Sequence, residues 1–244
     1  MQLAGYGAEV ATKMLKASIK IGLVLIGTLA ISAVAYEATS LLSDTYRVAL
    51  GQHVFNIPTQ YSRQGAASQL TGADEDSRSY MLEFSAEDVA AEVSNYKTTN
   101  GSYRENIRAV LIAPTFDESK RYQSPGYLKD IWNAEGSYRD AIIESYAGRS
   151  WLKVYRKIEY PYSWAVLREM PEKNRSVPEN VFSFWIANCL SGNSPITQSG
   201  EIVICQSYAL DQDIVIDFYI SEQNLDVIED VRLFLKSKIE LWKE

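Results

Sequence analysis

The chain has 244 residues, of which 46% are hydrophobic, and a formal net charge of −7. This length leaves room for a targeting segment and one domain, or for two small domains. The acidic balance argues against nucleic acid or anionic lipid as a partner, whereas it favours encounter with a basic protein.

The N-terminal segment carries the signature of export. Lys13, Lys16 and Lys20 precede the uncharged run Ile21–Tyr36, and Glu37 follows that run. Lysines before an apolar run stay in the cytoplasm, so the rest of the chain is expected to cross the membrane. The sequence therefore predicts a single-pass protein of a bacterial inner membrane, with a cytoplasmic N-terminus and a periplasmic C-terminal domain. The predicted anchor residues are Lys20, Ile21, Leu23, Leu25, Ile26, Leu29, Ile31 and Tyr36.

A cleaved signal peptide is the main alternative to this anchor. Ala33-Val34-Ala35 has the small-x-small form of a cleavage site, and Ile21–Tyr36 is slightly short for a span of about 20 residues. A buried core helix is the third possibility. The charge distribution agrees with export, because residues 1–36 carry a net +2 and subtracting this from −7 leaves −9 for the remainder.

The predicted domain organisation follows from the end of the apolar run at Tyr36. Residues 1–36 form the anchor or signal, residues 37–45 a juxtamembrane linker, and residues 46–244 the periplasmic domain, with a possible subdivision near Arg149. The predicted fold class is α+β: an N-terminal transmembrane helix, then an antiparallel-sheet ectodomain with a C-terminal amphipathic helix.

Strand and helix signals alternate in the first part of that domain. Two apolar runs around Gly51-Gln52 predict a strand, a tight turn and a strand. A strand over Ser79–Phe84 leads into a helix capped by Ser85, and Ile107–Ala113 is the clearest buried strand. Further on, a short helix is predicted over Tyr138–Tyr146.

From Trp151 onward the pattern is mostly that of strands. Alternating apolar and polar residues predict strands over Trp151–Tyr160, Tyr162–Glu169, Val181–Cys189, Glu201–Leu210 and Asp213–Ile220. The last segment, from Ser221 to the C-terminus, predicts one amphipathic helix, because apolar residues recur every three or four positions and acids precede lysines.

The two cysteines, Cys189 and Cys205, lie in the part of the chain predicted to be exported. In an oxidising compartment this spacing predicts a disulfide across a hairpin. Two buried thiols are the alternative. The chain has one histidine and no CxxC motif, so no metal site is predicted.

The sequence offers little evidence of catalysis. His53 has no partner at a motif spacing, and the usual hydrolase, phosphate-loop, dinucleotide and metalloprotease motifs do not occur. Asp213 and Asp217 share one side of a predicted strand, which leaves an exported carboxylate hydrolase as a minor alternative. We predict a non-enzyme with no catalytic residues and no cofactor.

Two segments resemble a known family. Tyr46–Ser62 resembles the opening of the immunity proteins for type VI secretion lipase effectors, and the segment from Cys205 to Trp242 is similar to that family's closing strand and helix. The matching residues are Gly51, His53, Phe55, Ile57, Pro58, Ile228, Val231 and Leu235. The pairing of the C-terminal cysteines also fits the family. Residues 63–180 match no family pattern.

The resemblance implies a periplasmic, membrane-tethered protein that binds an incoming toxin and blocks its active site or lid. Exposed Tyr160, Tyr162 and Trp164 are the predicted contact residues, because large aromatic side chains with a polar end suit interfaces. The alternative function is a structural subunit of an inner-membrane complex. The predicted partners are therefore a protein toxin or other membrane-complex subunits, together with the membrane itself, and no nucleic acid.

Overall fold

The computed structural model describes residues 44–63, 78–98, 105–123, 125–170, 176–192 and 203–244. Residues Tyr46–Glu244 form one compact unit. The predicted anchor over Ile21–Tyr36 and the predicted linker lie outside the described residues, apart from 44 and 45.

Ten strands and four α-helices make up the described fold. The strands are β1 Thr45–Leu50, β2 His53–Pro58, β3 Ser79–Phe84, β4 Ile107–Ile112, β5 Ile142–Ser145, β6 Leu152–Tyr155, β7 Ser163–Leu167, β8 Trp185–Ser191, β9 Val203–Asp211 and β10 Ile214–Ser221. The helices are α1 Ala86–Glu92, α2 Phe116–Gln123, α3 Gly126–Asn133 and α4 Ile228–Trp242.

The main sheet has eight strands in the order β3-β4-β10-β9-β8-β7-β6-β5, and every neighbouring pair is antiparallel. Strands β1 and β2 form a separate hairpin. Side chains alternate between the faces of a strand, so each strand of the sheet contributes to two different layers. The eight strands come from both sides of Arg149 in the chain.

Both faces of the sheet bury apolar side chains. The first face packs against α4 and the hairpin, and its core includes Phe84, Phe218 and Leu235. The second face packs against α3, where Leu128 and Ile131 contact the strands in a smaller core. In the part of the chain that the structure describes, the second face is covered only in part.

The disulfide between Cys189 and Cys205 is confirmed. The two residues lie directly opposite each other on β8 and β9, and both side chains point into the core of the first face. The bond therefore fixes the register of two central strands that are far from either edge of the sheet.

The predicted fold class needs a correction at its N-terminus. In the part of the chain that the structure describes, no helix is both long and apolar enough to cross a membrane. Helix α4, with 15 residues, spans only about 22 Å against a hydrocarbon core of about 30 Å, and it carries charged residues. The supported fold class is a mostly antiparallel sheet with a C-terminal helix, and the N-terminal transmembrane helix in the prediction has no support.

The C-terminal helix also begins later than predicted. Residues Glu222–Val227 form 3₁₀ turns, and the α-helix starts at Ile228. Asn224 is buried and exchanges two hydrogen bonds with the backbone of Lys97, at 2.7 and 3.0 Å. These contacts between distant segments hold the chain in tight turns, which the local sequence pattern does not show.

The predicted cap of α1 is confirmed. The Ser85 hydroxyl accepts a hydrogen bond from the Asp88 amide at 3.0 Å.

Candidate functional site

The connection between β6 and β7 presents apolar side chains to solvent. Ile158 is 90% exposed, Tyr160 is 42% exposed and Tyr162 is 37% exposed. We call this group, Ile158, Tyr160 and Tyr162, the tip. Exposed apolar side chains scattered singly are ordinary on protein surfaces, but three within five residues form a patch that suits a partner.

Hydrogen bonds and ring contacts hold the tip in one shape. The Tyr160 hydroxyl donates to Glu144 Oε1 at 3.0 Å, and its ring meets Tyr155 edge to face at 5.1 Å. The hydrogen bond to Glu144 raises the pKa of Tyr160. The Tyr162 amide donates to the Glu159 carbonyl at 2.7 Å. A turn that is already ordered loses little conformational entropy if it binds a partner.

The third predicted contact residue, Trp164, lies elsewhere. Its side chain is buried in the core of the first face, with 5% exposure, and the Lys153 ammonium sits 4.5 Å from the centre of its ring. Tyr160 and Tyr162 reach the surface because they precede strand β7, whereas Trp164 is inside it. The sequence predicts one strand over Trp151–Tyr160 and therefore does not single out Ile158. The strand ends at Tyr155 instead, and the charged neighbours of Ile158, Lys157 and Glu159, are the sequence signal for a turn there.

A cleft of about 750 Å³ opens on the second face of the sheet. Its floor is formed by β4, β8, β9 and β10, and one wall by α2 and the start of α3. Its central side chains are Val110, Tyr122, Tyr127, Asn188, Gln206, Tyr208 and Asp217, with Arg78, Glu118 and Arg121 at the α2 end. Beyond the cleft, exposed apolar side chains continue along the same face: Met81, Leu190, Ile204 and Tyr219.

The two aspartates that the sequence analysis considered as a pair are not brought together. Asp217 lies in the cleft and hydrogen-bonds to Gln206, whereas Asp213 lies at the turn between β9 and β10 and hydrogen-bonds to His53 and Gln52. A hydrolase mechanism with two carboxylates facing one bond therefore has no basis in this arrangement.

His53 joins the hairpin to the main sheet. Its Nε2 lies 2.5 Å from Asp213 Oδ1, and the Gln52 amide donates to Asp213 Oδ2 at 2.8 Å. Within the described ranges, no hydroxyl or thiol hydrogen-bonds to His53, so the pair has no nucleophile to activate there. The contact holds the start of β2 against the β9–β10 turn.

The same contact predicts a pH dependence of stability. Burial by itself raises the pKa of Asp213, but hydrogen bonds from His53, its own amide and Gln52 outweigh this effect and lower it. A lowered carboxyl pKa adds stability that is present above the unfolded pKa of about 4 and is lost as the pH falls through the folded value. Because Asp213 is 46% exposed, we expect Asp213→Asn to cost at most about 1 kcal/mol at pH 7 and almost nothing near pH 2.

Urea unfolding of both proteins between pH 2 and pH 7 measures this difference. Asp140→Asn, at an exposed turn position, is the matched control and should leave the pH profile unchanged. A constant gap between wild type and Asp213→Asn over the whole pH range would contradict the linkage.

We find no metal site among the residues that the structure describes, because no three His, Cys, Asp or Glu side chains there are grouped so that they could hold a metal ion.

No family model matches the chain, and no curated protein matches it. One similar solved structure is an immunity protein of the Stenotrophomonas maltophilia type IV secretion system, with 11% sequence identity and a TM-score of 0.46. The match covers 83% of this chain and 94% of that chain.

Proposed function

We propose that this chain is a binding protein that inhibits a secreted bacterial protein toxin, in the manner of an immunity protein, and that it works in the periplasm. The observation that carries the proposal is the tip: three apolar or aromatic side chains, exposed on an ordered turn. Interfaces between proteins draw most of their binding energy from a few such anchors, with tyrosine among the enriched types.

The sequence supports a toxin as the partner. The resemblance of Tyr46–Ser62 and of the C-terminal segment to immunity proteins of type VI lipase effectors makes that class the first to test. The acidic balance of the chain, −7 overall, suits a basic partner by steering the encounter. The periplasmic location is supported by the Cys189–Cys205 disulfide, because such bonds persist in oxidising compartments.

Co-expression tests the proposal directly. The full chain is expressed in bacteria that also export the product of a neighbouring gene. If that product is a toxin, we expect the chain to restore growth and the two proteins to purify together. Cell fractionation in the same strain should recover the chain from the periplasm. The proposal fails if no neighbouring gene product is neutralised by the chain or binds to it.

A substitution in the tip tests whether this surface is the one that binds the toxin. We expect Ile158→Asp to weaken toxin binding by about 2 kcal/mol, or roughly thirtyfold, because a charge replaces an apolar anchor at the centre of the contact. Calorimetric titration of the purified toxin measures the change in Kd.

The matched control is Leu241→Asp, which places the same charge at a position on α4 that is 75% exposed. This variant should bind the toxin as the wild type does. Equal affinity of Ile158→Asp and wild type would exclude the tip as the contact surface, even if the chain still protects the cell.

A further inference from the structure

We propose that the cleft on the second face is a binding site for the cationic side chain of a protein partner, an arginine, whose guanidinium group pairs with the Asp217 carboxylate. This site is separate from the tip, and the inference holds whether or not the partner is a toxin.

Asp217 is a carboxylate with unused capacity for hydrogen bonds. Both of its oxygens accept from the same group, Gln206 Nε2, at 2.8 and 2.9 Å. Among the described residues, no lysine or arginine forms an ion pair with it. An ionised carboxylate offers about four lone-pair positions, so a planar guanidinium can donate two parallel hydrogen bonds without displacing Gln206.

The neighbours of Asp217 are themselves held in place. The Asn188 amide donates to the Tyr127 hydroxyl at 2.9 Å, and the Tyr208 hydroxyl donates to the Tyr122 carbonyl at 2.8 Å. The floor of the cleft around Asp217 is therefore lined by tyrosine rings and amides that hydrogen bonds hold in place. Aromatic rings attract cations through their faces, and a guanidinium stacks on them better than a lysine ammonium does.

The other charges of the cleft lie at its α2 end and partly offset one another. Glu118 accepts hydrogen bonds from Thr115 and lies 4.0 Å from an Arg78 nitrogen, and the Arg121 side chain is near the same carboxylate. These three groups form a rim of mixed charge. Asp217 is the charged group on the floor among the described residues, and none of the described cationic side chains forms an ion pair with it.

The partial burial of the Asp217 carboxylate also supports the proposed arginine site. Partial burial raises the pKa of Asp217, and the hydrogen bond from Gln206 only partly opposes this effect. A raised carboxyl pKa means that the ionised form is less favourable in the folded state, so stability falls as the pH rises through the raised value. We therefore expect Asp217→Asn to be neutral or stabilising at pH 7. A charge that does not help folding is typical of a position kept for binding.

Chemical-shift titration tests the site with a defined probe. N-acetyl-arginine amide is added to the isotope-labelled full chain, and we expect saturable shifts of the Asn188 and Gln206 side-chain amides. N-acetyl-citrulline amide has almost the same shape without the charge and should bind at least tenfold more weakly.

Two variants complete the test. Asp217→Asn should lose the response to the arginine probe at unchanged or higher thermal stability, whereas the exposed control Asp140→Asn should keep it. An equal response to arginine and citrulline, or an arginine response that survives Asp217→Asn, would overturn the inference. Because the probe is not a toxin, these outcomes are independent of the co-expression result.

Discussion

Replacing Cys189 and Cys205 with alanine should lower the free energy of unfolding by about 3 kcal/mol. The disulfide closes a loop with a sequence separation of 16, and the chain-entropy model assigns about 3 kcal/mol to a loop of this length. The bond joins β8 to β9 in the middle of the eight-stranded sheet, so the loss should appear as destabilisation of the whole domain rather than of one edge. Urea unfolding followed by fluorescence, with and without a reductant, measures the effect.

Burial of the disulfide adds a kinetic expectation. Cys189 is 1% exposed and Cys205 is fully buried, so a reductant in native buffer should reduce the bond only slowly. In denaturing urea the same reductant should act quickly, because unfolding exposes the sulfur atoms. The double-alanine protein is the control, since its unfolding midpoint should not respond to reductant. A wild-type midpoint that is the same under both conditions would contradict the prediction.

The second large effect is expected at Arg232, a cation inside the protein. Its side chain is 6% exposed and donates to the Ile186 carbonyl at 2.9 Å and to the Ser207 hydroxyl at 2.8 Å. Its guanidinium also lies 4.5 Å from the centre of the Phe182 ring. We expect Arg232→Ala to cost about 3 kcal/mol, chiefly because it opens a cavity between α4 and the sheet.

The substitution Arg232→Met tests how much of the stability loss comes from lost packing and how much from the lost charge. Burial lowers the pKa of Arg232, and the Glu229 carboxylate, 2.8 Å from one guanidinium nitrogen, only partly opposes this effect. The Nε of Arg232 has no hydrogen-bond partner in the described part of the chain. Methionine keeps most of the volume without a buried charge, so we expect its cost to be within about 1 kcal/mol. If Arg232→Met is as damaging as Arg232→Ala, the hydrogen bonds rather than the packing hold this region, and our explanation is wrong.

Local pattern predicted the central strands and the edge strand β3 well, and the opposite edge strand β5 poorly. Strands β7, β9 and β10 lie within two residues of their predicted bounds, because runs of apolar and β-branched residues favour strands, although their side chains are buried on both faces of the sheet. Residues Ile142–Ser145, in contrast, were predicted as part of a helix and form strand β5. Their hydrogen bonds go to β6, with Ile143 opposite Val154, and such non-local pairing overrides a weak local preference.

The sequence by itself determined the sheet-rich class, the C-terminal helix, the pairing of Cys189 with Cys205 and the aromatic segment that contributes to the tip. Each of these depends on periodicity, composition or spacing, which a single chain displays directly. Only the tertiary structure decided the cleft. Asn188 and Gln206 are opposite each other on β8 and β9, and Asp217 on β10 accepts a hydrogen bond from Gln206. Strand register places these residues side by side, and register depends on contacts that span the whole sheet.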